Sequence, residues 1–95
     1  LMTYKLAFNE SALKEWKKLG HTIQEQFKKK LRERLENPRV PASQLHGRKD
    51  QYKIKLRGAG YRLVYSVEDE IITVTVIGVG KRENDAVYKM TRHRS

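Results

Sequence analysis

The stretch from Tyr52 to Val67 constrains the fold of this chain more than any other part of it. Apolar and basic residues alternate along this stretch with a period of two, and the alternation breaks once, at Gly58 and Gly60. Such alternation is typical of a strand with one buried face, and glycines between two such runs indicate a hairpin. The stretch therefore predicts two antiparallel strands joined by a tight turn.

Burial fixes the register of this hairpin. One face must carry the apolar set Tyr52, Ile54, Leu56, Leu63, Tyr65 and Val67. Even-numbered residues then lie opposite odd-numbered ones, so the loop has an even number of residues, such as Ala59-Gly60 or Gly58 to Tyr61. The other face gathers cations with no acid among them: Lys53, Lys55, Arg57 and Arg62. A shift of one residue would bury an arginine in the core.

Two helices are predicted before the hairpin. The first begins at the N-cap Asn9, presents an apolar face that includes Trp16, and ends at Gly20 in a left-handed conformation. The second begins at a capping box of Thr22 and Glu25 and ends before Pro38. Its apolar residues recur every four positions, at Ile23, Phe27, Leu31 and Leu35. The two helices should form an antiparallel pair that packs on the sheet.

The remaining segments complete the predicted architecture. Residues Met2 to Phe8 suit a short first strand, and Ile71 to Val79 is apolar on both faces, as a central strand would be. The basic tail from Lys81 to Ser95 is partly helical over Glu83 to Met90. The prediction is an α+β fold over residues 1–95 as a single domain: a small antiparallel sheet, a helical hairpin on one face, and a short C-terminal helix.

Composition limits the possible partners. Lys and Arg number 21 against 11 Asp and Glu, a formal charge of +10, which favours a polyanionic partner, either nucleic acid or an acidic protein. There is no cysteine, and the three histidines, at 21, 46 and 93, have no ligand spacing, so no metal or other cofactor is expected. No signal peptide or membrane-spanning run appears, and we expect a soluble intracellular protein.

The row of cations is compatible with RNA cleavage by the RNA's own 2′-hydroxyl. That reaction needs a base, cations for the phosphorane and an acid; a lysine crowded by other cations, an arginine and a tyrosine can fill these roles. A solvated strand edge, or a phosphate contact without chemistry, explains the same spacing. The run Lys28 to Lys30 is likewise either a solvated helix face or a contact to rRNA phosphates.

The chain resembles a known toxin family along nearly its whole length. The matching segments are Phe8 to Gly20, Leu45-His46-Gly47, Tyr52 to Arg57, Gly60 to Tyr65, and Val79-Gly80-Lys81-Arg82 with Tyr88. They resemble the RelE family of bacterial type II toxin–antitoxin systems. The resemblance implies a microbial-ribonuclease-like fold and a ribosome-dependent mRNA endonuclease (an mRNA interferase), which cuts A-site codons without metal and so inhibits translation.

The resemblance also implies partners and site residues. Lys53 and Lys55 match catalytic lysines, with Lys55 as general base; Arg62 matches the arginine that stabilises the transition state, Arg82 the one near the leaving group, and Tyr88 the tyrosine that orients the mRNA base. Contacts to RNA or rRNA are expected from His46, Arg48, Lys28, Lys29, Lys30, Arg57 and Lys81. His46 stands where the family has arginine, and Arg48 is the alternative for that phosphate contact.

A RelB-type antitoxin neutralises such toxins, and operator DNA is bound only by the toxin–antitoxin complex, which represses transcription.

Two other functions fit parts of the sequence. A non-catalytic basic module could use the helical hairpin to bind DNA or rRNA. A toxin of the same fold could instead inhibit gyrase, although that task does not need the set Lys53, Lys55, Arg62, Arg82 and Tyr88.

Overall fold

A computed structural model describes residues 3–83 and 85–94 of the chain. Four strands and three helices follow one another as β1 (Lys5–Phe8), α1 (Glu10–Lys17), α2 (His21–Glu36), β2 (Gln51–Leu56), β3 (Tyr61–Glu68), β4 (Thr73–Lys81) and α3 (Ala86–Thr91). This confirms the α+β class and the short C-terminal helix. The predicted elements also included Met2, Asn84 and Ser95, which lie outside the described residues. No helix of the described ranges is long and apolar enough to cross a membrane.

The sheet is mixed, whereas the sequence predicted an antiparallel one. The strand order is β1-β4-β3-β2, and β1 runs parallel to β4 while the other two pairs are antiparallel. The reason is the helical hairpin, which carries the chain from β1 at one edge of the sheet to β2 at the opposite edge. As predicted, β4 is a central strand, but it starts at Thr73 because Asp69–Ile71 form a 3-10 turn and Ile72 has a φ of 49°.

The hairpin of β2 and β3 has the predicted parity. Lys55 lies opposite Arg62 and Leu56 opposite Tyr61, so the cations fall on one face and the apolar residues on the other. The loop has four residues, Arg57 to Gly60, and thus coincides with neither of the two predicted spans. Gly60 has a φ of 71°, a left-handed conformation that glycine adopts without strain. Arg57 consequently belongs to the loop and not to the strand.

One face of the sheet, here called the α1/α2 face, carries the main core. Trp16 of α1 and Phe27 of α2 pack with Ile54, Leu63 and Tyr65 of the sheet, all of them buried. Asn9 caps α1 as predicted, because its Oδ1 accepts a hydrogen bond from the Ala12 amide at 2.7 Å. The α1/α2 face is therefore an apolar layer of the kind that the helical and strand periodicities predict.

The predicted junction between the two helices is wrong in detail. The amides of Lys18 and Leu19 bond to the carbonyls of Glu15 and Trp16, so α1 closes with a tight last turn and needs no left-handed residue. Gly20 has a φ of −66° and is the N-cap of α2. Since α2 begins at His21, Thr22 lies inside the helix and does not form a capping box.

The opposite face, here called the α3 face, carries a second and smaller core. Leu45, Val64, Ile77 and Val87 are buried there, with Tyr88 packed against them. A β-bulge in β4 makes this possible, since the register shifts between Val64 and Tyr65 and Ile77 then points to the α3 face. The shift explains why this strand is apolar on both faces.

Candidate active site

The cations predicted from the hairpin lie on the α3 face. Lys53 and Lys55 of β2 are half-buried, and Arg62 of β3 is buried, with 8% of its surface exposed. Directly opposed residues of an antiparallel pair have their Cβ atoms about 5 Å apart, so Lys55 and Arg62 are close neighbours. Arg62 donates to the Tyr61 carbonyl at 3.2 Å, and no carboxylate within the described ranges forms an ion pair with it.

The crowding of cations changes the acidity of Lys55. The pKa of Lys55 is lowered from its ordinary value, chiefly by the charge of Lys53 and further by partial burial and by the charges of Arg62 and Arg57. Asp85 opposes this shift. A lower pKa means a larger neutral fraction of the amine near neutral pH, which is what a general base requires.

The end of β4 brings two further predicted residues to this place. Gly80 pairs with Arg62, and the next residues of the strand lead to Arg82, whose amide donates to the Gly60 carbonyl at 2.7 Å. The side chain of Arg82 is exposed. A small cavity lies between β3, the end of β4 and α3. It is lined by Arg62, Lys81, Arg82, Asp85, Ala86, Val87 and Tyr88. Arg62, Arg82 and Tyr88 therefore converge, and Lys55 adjoins them through Arg62.

Tyr88 carries an unpaired hydroxyl at this cavity. Within the described ranges it is the one buried side-chain polar atom without a hydrogen-bond partner. Burial raises the pKa of Tyr88, and Arg62 opposes that rise through its charge and through its approach to the hydroxyl. Buried polar groups in folded proteins are almost always hydrogen-bonded, and an exception calls for a functional explanation. This hydroxyl stays protonated at neutral pH, and the polar side chain beside it is Arg62.

Glycines on β4 allow α3 to lie this close to the sheet. A Cβ on Gly78 would come within 2.2 Å of the Thr91 Cγ2 atom, and one on Gly80 within 3.3 Å of the Val87 Cγ2 atom. Two glycines on the same face of a central strand indicate such a close approach. The two glycines are the sequence signal from which the packing of α3 on β4 could have been predicted.

Arg34 of α2 supports the site from the other side of the sheet, a role that the sequence did not indicate. Its Nη1 atom donates to the Lys53 carbonyl at 3.2 Å and to the Tyr65 hydroxyl at 2.9 Å, and its Nη2 atom donates to Ser43 Oγ at 3.1 Å. The guanidinium also lies 5.8 Å from the Tyr65 ring centre. Arg34 thus fixes the backbone of β2 where Lys53 projects.

The residues predicted to contact RNA are divided by the structure. His46, Lys28, Lys29, Lys30, Arg57 and Lys81 are exposed, and Lys28 forms an ion pair with Glu25 at 3.0 Å. Lys30 and Arg57 line a cleft of about 620 Å³ beside Lys55. Arg48 differs from them, because its side chain turns inward and bonds to α3. For Arg48 the structure shows an internal role, and the phosphate contact stays a prediction.

Residues 3–83 and 85–94 contain no group of three or more His, Asp or Glu side chains that could hold a metal ion. The chemistry available at the site is that of lysine, arginine and tyrosine side chains.

Comparisons with known proteins agree with this geometry. The model of the ParE toxin of the type II toxin–antitoxin system parDE matches residues 6–86. The mRNA interferase toxin RelE of Escherichia coli K12 is 62% identical over 87 residues, 92% of either chain. A mutant of the E. coli toxin RelE in the free state superposes with a TM-score of 0.90, at 58% identity and over 98% of both chains. RelE in the intact E. coli RelBE toxin–antitoxin complex gives 0.82, at 62% identity, over 85% of this chain and 99% of that one. The chain therefore belongs to the RelE/ParE family of type II toxin–antitoxin toxins.

Proposed function

We propose that this protein is an mRNA interferase, an endoribonuclease that cuts ribosome-bound mRNA at A-site codons and thereby stops translation in the cytoplasm. The name of the E. coli relative supports the activity, and its 62% identity covers 92% of this chain. The net charge of +10 suits a protein that must enter an environment rich in rRNA phosphates.

The reaction is the attack of an RNA 2′-hydroxyl on the adjacent phosphorus. Lys55, in its neutral form, accepts the proton of that hydroxyl while the new oxygen–phosphorus bond forms. Lys53 and Arg62 stabilise the charge of the phosphorane. The bond to the 5′ oxygen then breaks, Arg82 stabilises the departing oxygen, and Tyr88 is the protonated group that can bond to it and return a proton. The products carry a 2′,3′-cyclic phosphate and a 5′-hydroxyl.

One observation carries this proposal: the protonated and unpartnered Tyr88 hydroxyl lies beside buried Arg62, next to a lysine with a lowered pKa. Environments that favour a neutral amine and a protonated phenol in one place provide a base and a proton donor together. A surface that only binds phosphates needs neither a lysine with a lowered pKa nor a buried tyrosine hydroxyl without a hydrogen-bond partner.

The expected partner is a RelB-type antitoxin. Toxin and antitoxin are bound to each other in the E. coli RelBE structure, and that RelE superposes well on this chain. We expect the same kind of complex here, with inhibition of the toxin and repression of the operon by the complex on operator DNA.

The test is to map the cleavage of an mRNA on programmed ribosomes and as naked RNA. The wild-type protein should cut within codons on ribosomes, leave a 2′,3′-cyclic phosphate, and cut naked RNA far more slowly. Arg82→Ala and Tyr88→Phe should each lose cleavage and growth arrest while their unfolding midpoints stay unchanged. Lys17→Ala, an exposed cation of α1 remote from the site in sequence, is the control and should retain both.

The rival functions give different results in the same experiment. A non-catalytic binding module would protect mRNA without producing new ends. A gyrase inhibitor would stop growth through DNA supercoiling, with mRNA left intact. Full cleavage by both the Arg82 and Tyr88 variants would contradict the proposed site.

A further inference from the structure

Arg48 is bonded inside the protein, although it lies in a loop of exposed cations. Its Nη1 atom donates to Gln51 Oε1 at 3.1 Å and to Thr91 Oγ1 at 3.0 Å, and its Nη2 atom donates to the backbone carbonyl of Tyr88. Three of the five N–H donors of the guanidinium are therefore used by uncharged acceptors of β2 and α3. The adjacent Lys49, by contrast, is exposed.

The carbonyl of Tyr88 is held only weakly within its own short helix: the Thr91 hydroxyl lies 3.3 Å from it and is closer to the Val87 carbonyl, at 2.8 Å. Helix α3 has six residues, and the last four carbonyls of any helix lack amide partners from the next turn. Tyr88 is the first of these four in α3. A guanidinium at this end pairs the carbonyl and also interacts favourably with the negative end of the helix dipole. Since isolated helices of this length are not stable, α3 depends on such contacts.

The bonds of Arg48 connect two parts of the site that are distant in the sequence. Gln51 is the first residue of β2, the strand that carries Lys53 and Lys55. Tyr88 lies on α3, which contacts β3 and β4. On the other side α3 is followed by Arg94, which pairs with Glu15 at 3.0 Å. Arg48 thus joins α3 to the strand of the two lysines.

We infer that Arg48 is a positioning residue for Tyr88, which ties the last turn of α3 to the start of β2 and thereby fixes the Tyr88 hydroxyl beside Arg62. The inference deepens the proposed function and rests on it. It replaces the phosphate contact predicted for Arg48 with a role inside the protein. Burial and the neighbouring Arg92 lower the pKa of Arg48, but the guanidinium keeps its charge at any physiological pH.

The two roles predict opposite results for Arg48→Lys. Lysine keeps the charge and can still attract a phosphate, but it cannot make the forked contacts to Gln51, Thr91 and the Tyr88 carbonyl. A misplaced catalytic group costs about ten- to a hundredfold in rate. We therefore expect kcat on programmed ribosomes to fall by that factor, with KM within about twofold of the wild type because the charge is kept. Lys49→Gln, the matched control, should change kcat little.

A second background separates positioning from general damage. If Arg48 acts through Tyr88, Arg48→Lys should reduce the residual rate of a Tyr88→Phe protein by less than about twofold. A protein that merely folds less well would lose rate and melting temperature in both backgrounds. Arg48→Met, which fills the half-buried space without a charge, is measured beside it and should lose kcat in the same way.

Each outcome decides the question. Loss of kcat only when Tyr88 is present supports the inference. A raised KM of Arg48→Met, or a salt dependence of ribosome binding that is weaker in Arg48→Met and normal in Arg48→Lys, would establish the phosphate contact. Either result would overturn the inference. Full activity of Arg48→Lys and Arg48→Met with an inactive Tyr88→Phe protein would overturn the positioning role alone. Full activity of Tyr88→Phe would instead remove the proposed function of Tyr88, and this inference with it.

Discussion

The two faces of the sheet are built on different principles. On the α1/α2 face, Phe27, Leu63 and Tyr65 are fully buried in one apolar layer, and the partly buried Arg34 bonds to acceptors on three elements. On the α3 face a small apolar cluster lies beside buried Arg62, half-buried lysines and an unpaired Tyr88 hydroxyl. On the first face the core side chains are apolar, and no buried polar side-chain atom of the described residues lacks a hydrogen-bond partner there. The second contains like charges that repel one another.

This difference separates stability from activity within one small domain. A protein of 95 residues has little core to spare, and the α1/α2 face supplies most of it. The α3 face can then hold groups that burial penalises, because the other face stabilises the sheet that carries them. Substitutions on the first face should act through folding, and substitutions on the second through chemistry.

The largest effect on stability should come from Phe27→Ala. Phe27 is fully buried and its ring centre lies 6.2 Å from that of Trp16, so its removal leaves a cavity in the main core. Loss of a buried phenylalanine costs about 3–5 kcal/mol of unfolding free energy. Urea unfolding measures this, with Arg32→Ala on the exposed side of the same helix as a control within about 0.5 kcal/mol of the wild type. A loss below 1 kcal/mol would contradict the assignment of the main core.

Gly78→Ala should damage the α3 face and spare the other. The new methyl group would collide with the Thr91 Cγ2 atom, so α3 must move away from β4. Overpacking of this kind costs about 1–3 kcal/mol, and the displaced Tyr88 should lower the cleavage rate. Hydrogen exchange would show faster exchange in α3 with α1 and α2 unchanged. Gly58→Ala, which meets no atom within 4 Å, is the control; unchanged exchange in α3 would show that the helix does not depend on close contact at Gly78.

The charge of Lys53 should set the pH dependence of cleavage. Lys53 is the main cause of the lowered pKa of Lys55, so Lys53→Met should raise that pKa toward its ordinary value. If neutral Lys55 is the base, the rate increases with pH through its pKa, and the midpoint of the profile moves to higher pH in the variant. The rate–pH profile of both proteins on programmed ribosomes measures this. A midpoint that stays in place would exclude Lys55 as the group that titrates.

The smallest effect is expected far from the site, at Asp69. This carboxylate accepts hydrogen bonds from Tyr4 at 2.6 Å and from Arg39 at 2.8 Å, and these bonds lower its pKa from 3.8. A carboxylate with a lowered pKa in the folded state stabilises the protein above its unfolded pKa, and this contribution is lost as pH falls through the folded value. Melting temperatures between about pH 5 and 2 should fall less steeply for Asp69→Asn than for the wild type. Parallel curves would show that the bonds add nothing.

Sequence analysis was most successful where local rules determine structure. The parity of the β2–β3 hairpin follows from burial, since only one register keeps Arg62 out of the main core, and the N-cap Asn9 follows from its side-chain chemistry. Arg82 and Tyr88 converge on Arg62 because β4 lies beside β3 in the sheet. Their catalytic roles stay predictions.

The features that sequence analysis missed depend on distant contacts. The parallel pairing of β1 with β4 is set by the path of the helical hairpin and not by either strand. Arg34 and Arg48 look like any cation in a basic run, and their inward bonds appear only when Tyr65 and Tyr88 are brought to them. The bulge that turns Ile77 to the α3 face does not show in the sequence, because β4 is apolar on both faces.

Arg62→Met tests most directly whether the α3 face contains groups that lower the unfolding free energy but are needed for cleavage. Arg62 is buried, donates to its neighbour's carbonyl, lies beside Lys55 and Tyr88, and has no ion-pair partner in the described ranges. Replacing such a charge with an apolar side chain of similar length is often neutral or stabilising. Urea unfolding and cleavage on programmed ribosomes, measured on the same preparation, should show an equal or higher unfolding free energy together with the loss of cleavage. Retained cleavage, or a loss of cleavage that a matching loss of stability accounts for, would contradict this account.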